Sequence, residues 1–231
     1  MQDIRPSRNV TSRKSRSLSD IAHEEIQRRI ANGLLAPGSR VVIDALAAEF
    51  GMSLIPVREA LARLHAERLL TFQANKGYRV SGPPEQLELD QLFSARLMLE
   101  CGALEIALDR VSDEDLKDLR TLNRQMGEAT CGTTFDDYIT FVRLNSAFHE
   151  RLIAITENPF MQNAYGLLGY AARITQTLHG RGVPDIDRLV AEHDEIIDAL
   201  GDRSFPRARN ALRRHILEGA RRLGVKVAAA E

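Results

Sequence analysis

The sequence has no tryptophan, two cysteines in 231 residues, and only 5% aromatic residues. Cys101 and Cys131 belong to no recognisable motif, so we expect inert thiols in a reducing compartment and no disulfide framework. No apolar run approaches the roughly 20 residues that a membrane-spanning helix needs, and the polar, basic N-terminus lacks the apolar stretch of a secretory signal. We therefore expect a cytoplasmic protein without membrane association, in which residues 1–17 form a flexible basic arm.

The net charge of -1 hides an uneven distribution of charge along the chain. Residues 1–80 carry 13 Lys and Arg against 8 Asp and Glu, whereas residues 81–231 carry 18 against 24. A small basic module joined to a larger acidic one is typical of a nucleic-acid-binding domain attached to a domain with a different partner. A chance fluctuation over 80 residues is an equally simple explanation of the charge alone.

The first part of the chain has the pattern of three short helices followed by a β-hairpin. Apolar residues recur at helical spacing in each of the three segments, and Ser53 is a suitable N-cap for the third. Two short alternating segments then flank a turn that contains Gly77. Three helices and a small hairpin predict a winged helix-turn-helix over 18–80. The helices are expected at 19–32, 43–50 and 53–69, and the strands at 71–73 and 78–80.

The N-terminal end of the third helix is the candidate DNA-reading element. In a helix-turn-helix this end enters the major groove. Arg58 lies one turn in and is long enough to contact a guanine bidentately, while Lys76 at the hairpin tip could meet the minor groove or a phosphate. With Ser53, Leu54 and Ile55 they form the predicted DNA-binding set. A solvated surface arginine on a protein-contact module is the alternative explanation.

This segment closely resembles the winged helix of the GntR family of bacterial regulators, over about residues 18–80. Two departures concern the operator: members usually carry arginine where this chain has Leu54, and often a basic residue where it has Asp44. The resemblance therefore implies the fold but not the usual operator sequence, and Leu54 or Ile55 could contact a thymine methyl instead. The matching residues are Leu46-Ala47, Gly51-Met52-Ser53, Pro56-Val57-Arg58-Glu59-Ala60-Leu61, Leu64, Ala66-Glu67, Leu69, Lys76-Gly77 and Val80.

Beyond a linker at 81–84, which contains two prolines, the sequence shows only amphipathic helical segments. Short connections between them predict an antiparallel six-helix bundle over 85–231. The fold class expected for the whole chain is thus mainly α. The helices are predicted at about 85–110, 113–130, 135–156, 159–178, 185–201 and 205–227.

Three histidines and one asparagine in the bundle are candidate metal ligands. Asn145 and His149 lie one turn apart on one helical face, and His193 and His215 lie among apolar residues of the last two helices. Three neutral imidazoles and an amide oxygen suit a divalent ion such as zinc, nickel or manganese. Periodicity alone does not show that the three helices converge, and an isolated histidine is equally explained as an ordinary core or surface residue.

Residues 85–228 resemble the FCD effector domain of the FadR subfamily, and six helices resemble its shorter, VanR-like branch. In that family, residues at the positions of Asn145, His149, His193 and His215 bind one metal, although aspartate is more frequent at position 145. Arg96 and Glu100 match an Arg-x-x-x-Glu signature whose arginine faces the effector. Arg173 is a further candidate for the effector pocket. The alternative for Arg96 is a salt bridge with Glu100 within its own helix.

The function predicted from these observations is a sequence-specific, DNA-binding transcription regulator that senses a small carboxylate through a metal-containing pocket. One recognition helix reads few bases, so a homodimer on a palindromic double-stranded operator is expected, with 85–231 providing dimerisation. Two alternatives remain open: a metal-free pocket for a larger acyl ligand, and a histidine-rich metal hydrolase. The absence of a glutamate positioned as general base beside His149 argues against an enzyme.

Overall fold

In the computed structural model, which describes residues 16–227, three helices and a three-stranded sheet form the N-terminal domain. This arrangement confirms the predicted helices and hairpin. Helix α1 begins at a capping box between Ser17 and Asp20, and α2 ends at Gly51, which adopts a left-handed conformation. The elements are α1 (Leu18–Ala31), β1 (Arg40–Val41), α2 (Ile43–Phe50), α3 (Leu54–Ala66), β2 (Leu70–Gln73) and β3 (Gly77–Val80).

Two details of this domain differ from the prediction. Strand β1 was not predicted, because two residues are too few to show an alternating pattern, yet it pairs with β3 to give the antiparallel order β1-β3-β2. Helix α3 ends at Ala66 rather than near Leu69, because Arg68 has a positive φ of 62° that a helix cannot continue. Of the predicted arm over 1–17, residues 1–15 lie outside the described residues.

The described part of the C-terminal domain contains seven helices, and residues 81–85 before it have neither helix nor strand. The prediction of a mainly helical chain, with a winged helix followed by a helical domain, is confirmed. The helices are α4 (Gln86–Arg110), α5 (Asp113–Gly127), α6 (Phe135–Ala154), α7 (Pro159–Leu167), α8 (Tyr170–Leu178), α9 (Ile186–Gly201) and α10 (Phe205–Arg222).

The count of seven helices corrects the expected six, because the segment 159–178 is two helices. Gly169 interrupts it with a φ of 60°, in the left-handed region that glycine adopts without strain. At this point the chain runs against the N-terminal domain: a Cβ on Gly169 would lie 3.1 Å from the carbonyl oxygen of Glu67. The break therefore lies at the contact between the two domains.

Each domain has its own apolar core, and each core includes one alanine from the other domain. Ala172 of α8 belongs to the core of the winged helix, and Ala31 of α1 belongs to the core of the helical domain. Ion pairs from α1 to α6, Arg28 with Asp136 and Glu24 with Arg143, add polar contacts across the same junction. None of the helices between residues 16 and 227 is both long enough and apolar enough to span a membrane.

Candidate functional site

Three buried histidines from three helices meet in the helical domain. His149 comes from α6, His193 from α9 and His215 from α10, and ligand-capable ring nitrogens of the three lie within 4.8 Å of one another. The Nε2 atom of His215 is 3.2 Å from the Nε2 of His149 and 3.2 Å from that of His193. The structure thus places together the three histidines that the sequence singled out.

The opposite nitrogen of each ring, Nδ1, faces a hydrogen-bond partner outside the group. Two of the partners are carboxylates, which accept only, and the third is an amide oxygen whose own NH2 group donates to Val190 and Asp194. Each Nδ1 therefore carries the hydrogen and donates it, and each Nε2 presents a lone pair. The partners are Glu100 for His149 at 2.7 Å, Glu192 for His215 at 3.0 Å and Asn123 for His193 at 3.1 Å.

Three converging lone pairs, with His215 Nε2 at 3.2 Å from each of the other two, repel unless a positive centre lies among them. Zinc–nitrogen bonds of 2.0–2.1 Å in a tetrahedral site separate the ligand nitrogens by about 3.3 Å. The observed separations fit such a centre. A ring nitrogen anchored by a carboxylate or carbonyl, with the other nitrogen free, is also the arrangement that orients metal-binding histidines. The residues therefore fit a divalent metal ion.

The protonation of these groups favours metal binding. Burial lowers the pKa of His149 to about 4 and lowers the pKa of His193 and His215 as well, so the imidazoles stay neutral. Burial opposes ionisation of Glu100, but the neighbouring Arg96 guanidinium and His149 outweigh it and lower the Glu100 pKa to about 2. Burial likewise opposes ionisation of Glu192, whose hydrogen bonds from His215 and Arg222 lower its pKa to about 2.

A cavity of about 50 Å³ adjoins His215, one of the three histidines. His215 and Asn145 contribute to its wall, together with Arg96, Tyr170 and Arg222. Asn145 is buried, and its side chain makes no hydrogen bond with any residue between 16 and 227. Its amide oxygen is therefore available to a group in the cavity, on the same helical face as His149.

Arg96 is the most deeply buried arginine of the cavity wall, with 1% of its surface exposed. Its Nε donates to Glu100 Oε1 at 2.7 Å, and its guanidinium lies over the Tyr170 ring at 3.8 Å from the centroid. The expected salt bridge is therefore present, and it does not use the whole side chain. Nη2 of Arg96 is buried without a partner among the described residues. An unsatisfied cationic donor of this kind suits a carboxylate ligand.

Arg173, the other candidate for the effector pocket, lies elsewhere. It forms an ion pair with Glu88 and lines a separate groove beside Leu167 and Ala95. Arg173 lies on a different face of α8 from Tyr170 and Ile174, which do line the cavity. The structure does not bring Arg173 to the histidines, and we leave it out of the site.

Three residues of the site were not identified from the sequence. Asn123 of α5, Glu192 of α9 and Arg222 at the end of α10 hold or surround the histidines. Glu192 accepts from both His215 and Arg222, so it fixes one ligand and one wall residue at once. No local pattern marks these positions, because their role depends on how the helices are rotated against one another.

The predicted DNA-binding residues lie on one end of α3 and on the hairpin. Ser53, Arg58 and Lys76 are exposed, and Arg58 has no hydrogen bond or ion pair with any described residue. Ile55 is 68% exposed, whereas Leu54 packs partly against the domain core. Ile55 is therefore the more accessible of the two apolar side chains.

Helix α8 joins the cavity to the winged helix. Tyr170, Ile174 and Leu178 form part of the cavity wall, while Ala172 packs into the core of the N-terminal domain. A winged helix packed against a helix that also lines a cavity fits a DNA-binding regulator, because a ligand in the cavity would contact that helix.

Comparison with known proteins supports this class. The profile of the FCD domain matches residues 91–218, more than half of the chain, and the profile of the gntR family of bacterial regulatory proteins matches residues 18–80. The chain belongs to the GntR family of bacterial transcription regulators that carry an FCD domain. Its relatives are transcription regulators, and it is not an enzyme of the hydrolase type considered above.

Individual relatives cover most of the chain at low identity. The uncharacterized regulator YdhC of Bacillus subtilis is 26% identical over 195 residues, 84% of each chain. The repressor GlaR of Escherichia coli is 28% identical over 83% of this chain and 89% of its own. The structure of Escherichia coli McbR/YncC has a TM-score of 0.69 and 20% identity over 91% of this chain and 98% of that one, which shows the shared fold.

Proposed function

We propose that the protein is a cytoplasmic, homodimeric regulator that binds a specific DNA operator and responds to a small organic acid through a metal-containing pocket. The convergence of three Nε2 lone pairs beside a cavity with an unsatisfied arginine donor carries this proposal. The order of the two domains supports the FadR subfamily. The seven helices described for the C-terminal domain, α4 to α10, remove the helix count as an argument for its VanR-like branch.

The metal would be held by His149, His193, His215 and the amide oxygen of Asn145. Such a donor set suits zinc, nickel or manganese, and a bound divalent ion supplies a Lewis-acidic position for a carboxylate oxygen. Arg96 then orients the same ligand through Nη2. The metal-free alternative with a larger acyl ligand is disfavoured because the converging Nε2 lone pairs of the three histidines would be left buried without a partner by an apolar chain.

The small volume of the cavity, about 50 Å³, suggests how a ligand could regulate DNA binding. An acid with several carbon atoms exceeds the cavity as it stands, so its entry displaces part of the wall. Helix α8 provides Tyr170, Ile174 and Leu178 to that wall and holds the winged helix through Ala172. We infer that the acid shifts α8 and, with it, the winged helix. The acid then binds the shifted and the unshifted arrangement of the winged helix with different affinity. Such a difference is required for the acid to alter DNA binding.

DNA binding rests on the exposed and unpaired Arg58. Arg58→Ala should cost on the order of 1–3 kcal/mol of specific binding if its guanidinium reads a guanine. The operator is first selected from random DNA, and fluorescence anisotropy then compares operator with random duplex. Thr71→Ala, an exposed hairpin position, is the control. Unchanged affinity of Arg58→Ala for both duplexes would show that α3 does not read the operator as proposed.

Homodimerisation is supported by an apolar stripe along the exposed face of α4. Leu87, Ala95, Met98, Gly102 and Ile106 share this face at helical spacing, and Leu87 and Met98 are more than 60% exposed. A Cβ on Gly102 would meet nothing within 4 Å, so a second helix can approach closely there. We propose that this stripe contacts the same stripe of a second copy across a two-fold axis.

Met98→Glu tests the interface, because a carboxylate at its centre would be buried without a partner. We expect light scattering coupled to size exclusion to show a dimer for the wild type and a larger monomer fraction for the variant. Leu34→Glu, at an equally exposed apolar residue of the N-terminal domain, should leave the dimer intact. A dimeric Met98→Glu protein would place the interface elsewhere.

Because the relative GlaR is a repressor, we further propose repression, with the acid releasing the operator. A reporter gene behind the selected operator tests this: expression should rise when the acid is supplied. Expression that falls would indicate activation.

A further inference from the structure

We propose that the acid recognised by this cavity is a small dianion such as a dicarboxylate, because the described side chains that line it include two guanidinium groups and no carboxylate. The inference rests on the proposed function and names the chemical class of its effector. Arg96 and Arg222 are the two cations of the wall. Phe93, Phe141 and other apolar side chains form most of the remainder.

Arg222 reaches the cavity from the last turn of α10. Its side chain is 9% exposed and its Nη1 donates to Glu192 Oε2 at 3.1 Å, with a second contact from Nη2 to Oε1. Glu192 itself does not line the cavity. Glu192 thus holds Arg222 from outside the cavity lining, as Glu100 holds Arg96, and both arginines remain part of the cavity wall.

An inventory of formal charge gives the expected charge of the ligand. The pairs of Arg96 with Glu100 and of Arg222 with Glu192 each sum to zero. The three imidazoles donate through Nδ1 and are neutral, and Asn145 is an amide. A divalent ion on these ligands would therefore add two positive charges that no buried carboxylate among residues 16–227 compensates. A dianion neutralises both, whereas a monocarboxylate leaves one buried charge unpaired.

The test compares acids of equal chain length that differ by one carboxylate. Full-length protein is loaded with zinc and desalted, and its metal content is measured before and after calorimetric titration with malonate, propionate, succinate and butyrate. The second metal measurement detects any chelation by the dicarboxylates. We expect the better dicarboxylate to bind at least about tenfold more tightly than its monocarboxylate counterpart, with the metal retained.

Two substitutions lower the charge of the site by one and should reduce this preference to about equal affinity. Asn145→Asp adds a carboxylate at the metal, and Arg222→Gln removes a wall cation, while Arg222→Lys should retain the preference. Arg188→Gln is the matched control. Arg188 also contacts Glu192, at 3.5 Å, but its side chain is 52% exposed and does not line the cavity.

Metal-loaded protein that binds both acids of a pair equally, or binds no dicarboxylate, would overturn the inference and leave the metal site standing. Protein that takes up no metal would refute the metal site of the proposed function, and since the two ion pairs sum to zero it should then bind both acids of a pair alike. A dicarboxylate preference in such metal-free protein would overturn the charge inventory, so the two failures are distinguishable.

Discussion

Glu100→Gln removes the carboxylate that connects Arg96, the proposed effector arginine, to His149, a proposed metal ligand. Glu100 and Arg96 are each 1% exposed, so the substitution leaves a buried guanidinium without its counter-charge. Removing one partner of a buried ion pair costs about 3–5 kcal/mol of unfolding free energy. The same change weakens the acceptor of His149 Nδ1, and loss of such a partner reduces metal affinity about 10–100-fold.

Urea unfolding measures the first effect, and competition with a zinc-binding dye measures the second. Glu128→Gln is the matched control, because Glu128 and Arg124 form a pair of the same spacing in which both side chains are 63% exposed. That control should change stability by less than about 1 kcal/mol. A Glu100→Gln protein with wild-type stability and wild-type zinc affinity would refute the structural role assigned to this carboxylate.

Three further predictions concern the metal ligands. His149→Ala should lose most of the bound metal while circular dichroism shows an intact helical fold, and Asn145→Asp should bind zinc at least about tenfold more tightly through its added charge. In the metal-free protein, burial lowers the His149 pKa to about 4, so between pH 6.5 and 4 only the unfolded chain binds this proton. The unfolding free energy should therefore decrease as the pH is lowered from 6.5 to 4, by up to about 3 kcal/mol for this residue, as measured by urea unfolding. His149→Ala should lack this part of the loss, and an equal pH dependence in both proteins would contradict the assignment.

The sequence predicted the three histidines and Asn145 because they recur on the inward faces of separate helices. Their meeting point followed only from the resemblance, since periodicity gives a face and not the rotation of one helix against another. For the same reason Asn123 and Glu192, which orient two of the rings, were missed. Asn123 and Glu192 reach the histidine rings only when α5, α9 and α10 are packed together.

The helical segments were predicted well except at the junction of the domains and at the end of α10, which stops at Arg222 rather than near residue 227. The run Leu167-Leu168-Gly169-Tyr170 continues an apolar helical pattern, so local propensity favours one helix. The break depends on the approach of Glu67 from the other domain, which a local pattern does not contain.

The central claim is that the acid in the helical domain controls the affinity of the winged helix for DNA. It is tested most directly by measuring the operator affinity of metal-loaded protein with and without the tightest-binding acid. We predict a change of at least about fivefold in operator affinity, and thermodynamic linkage requires the same factor in the acid affinity with and without operator. An acid that occupies the pocket at saturation and leaves operator affinity unchanged would contradict the account.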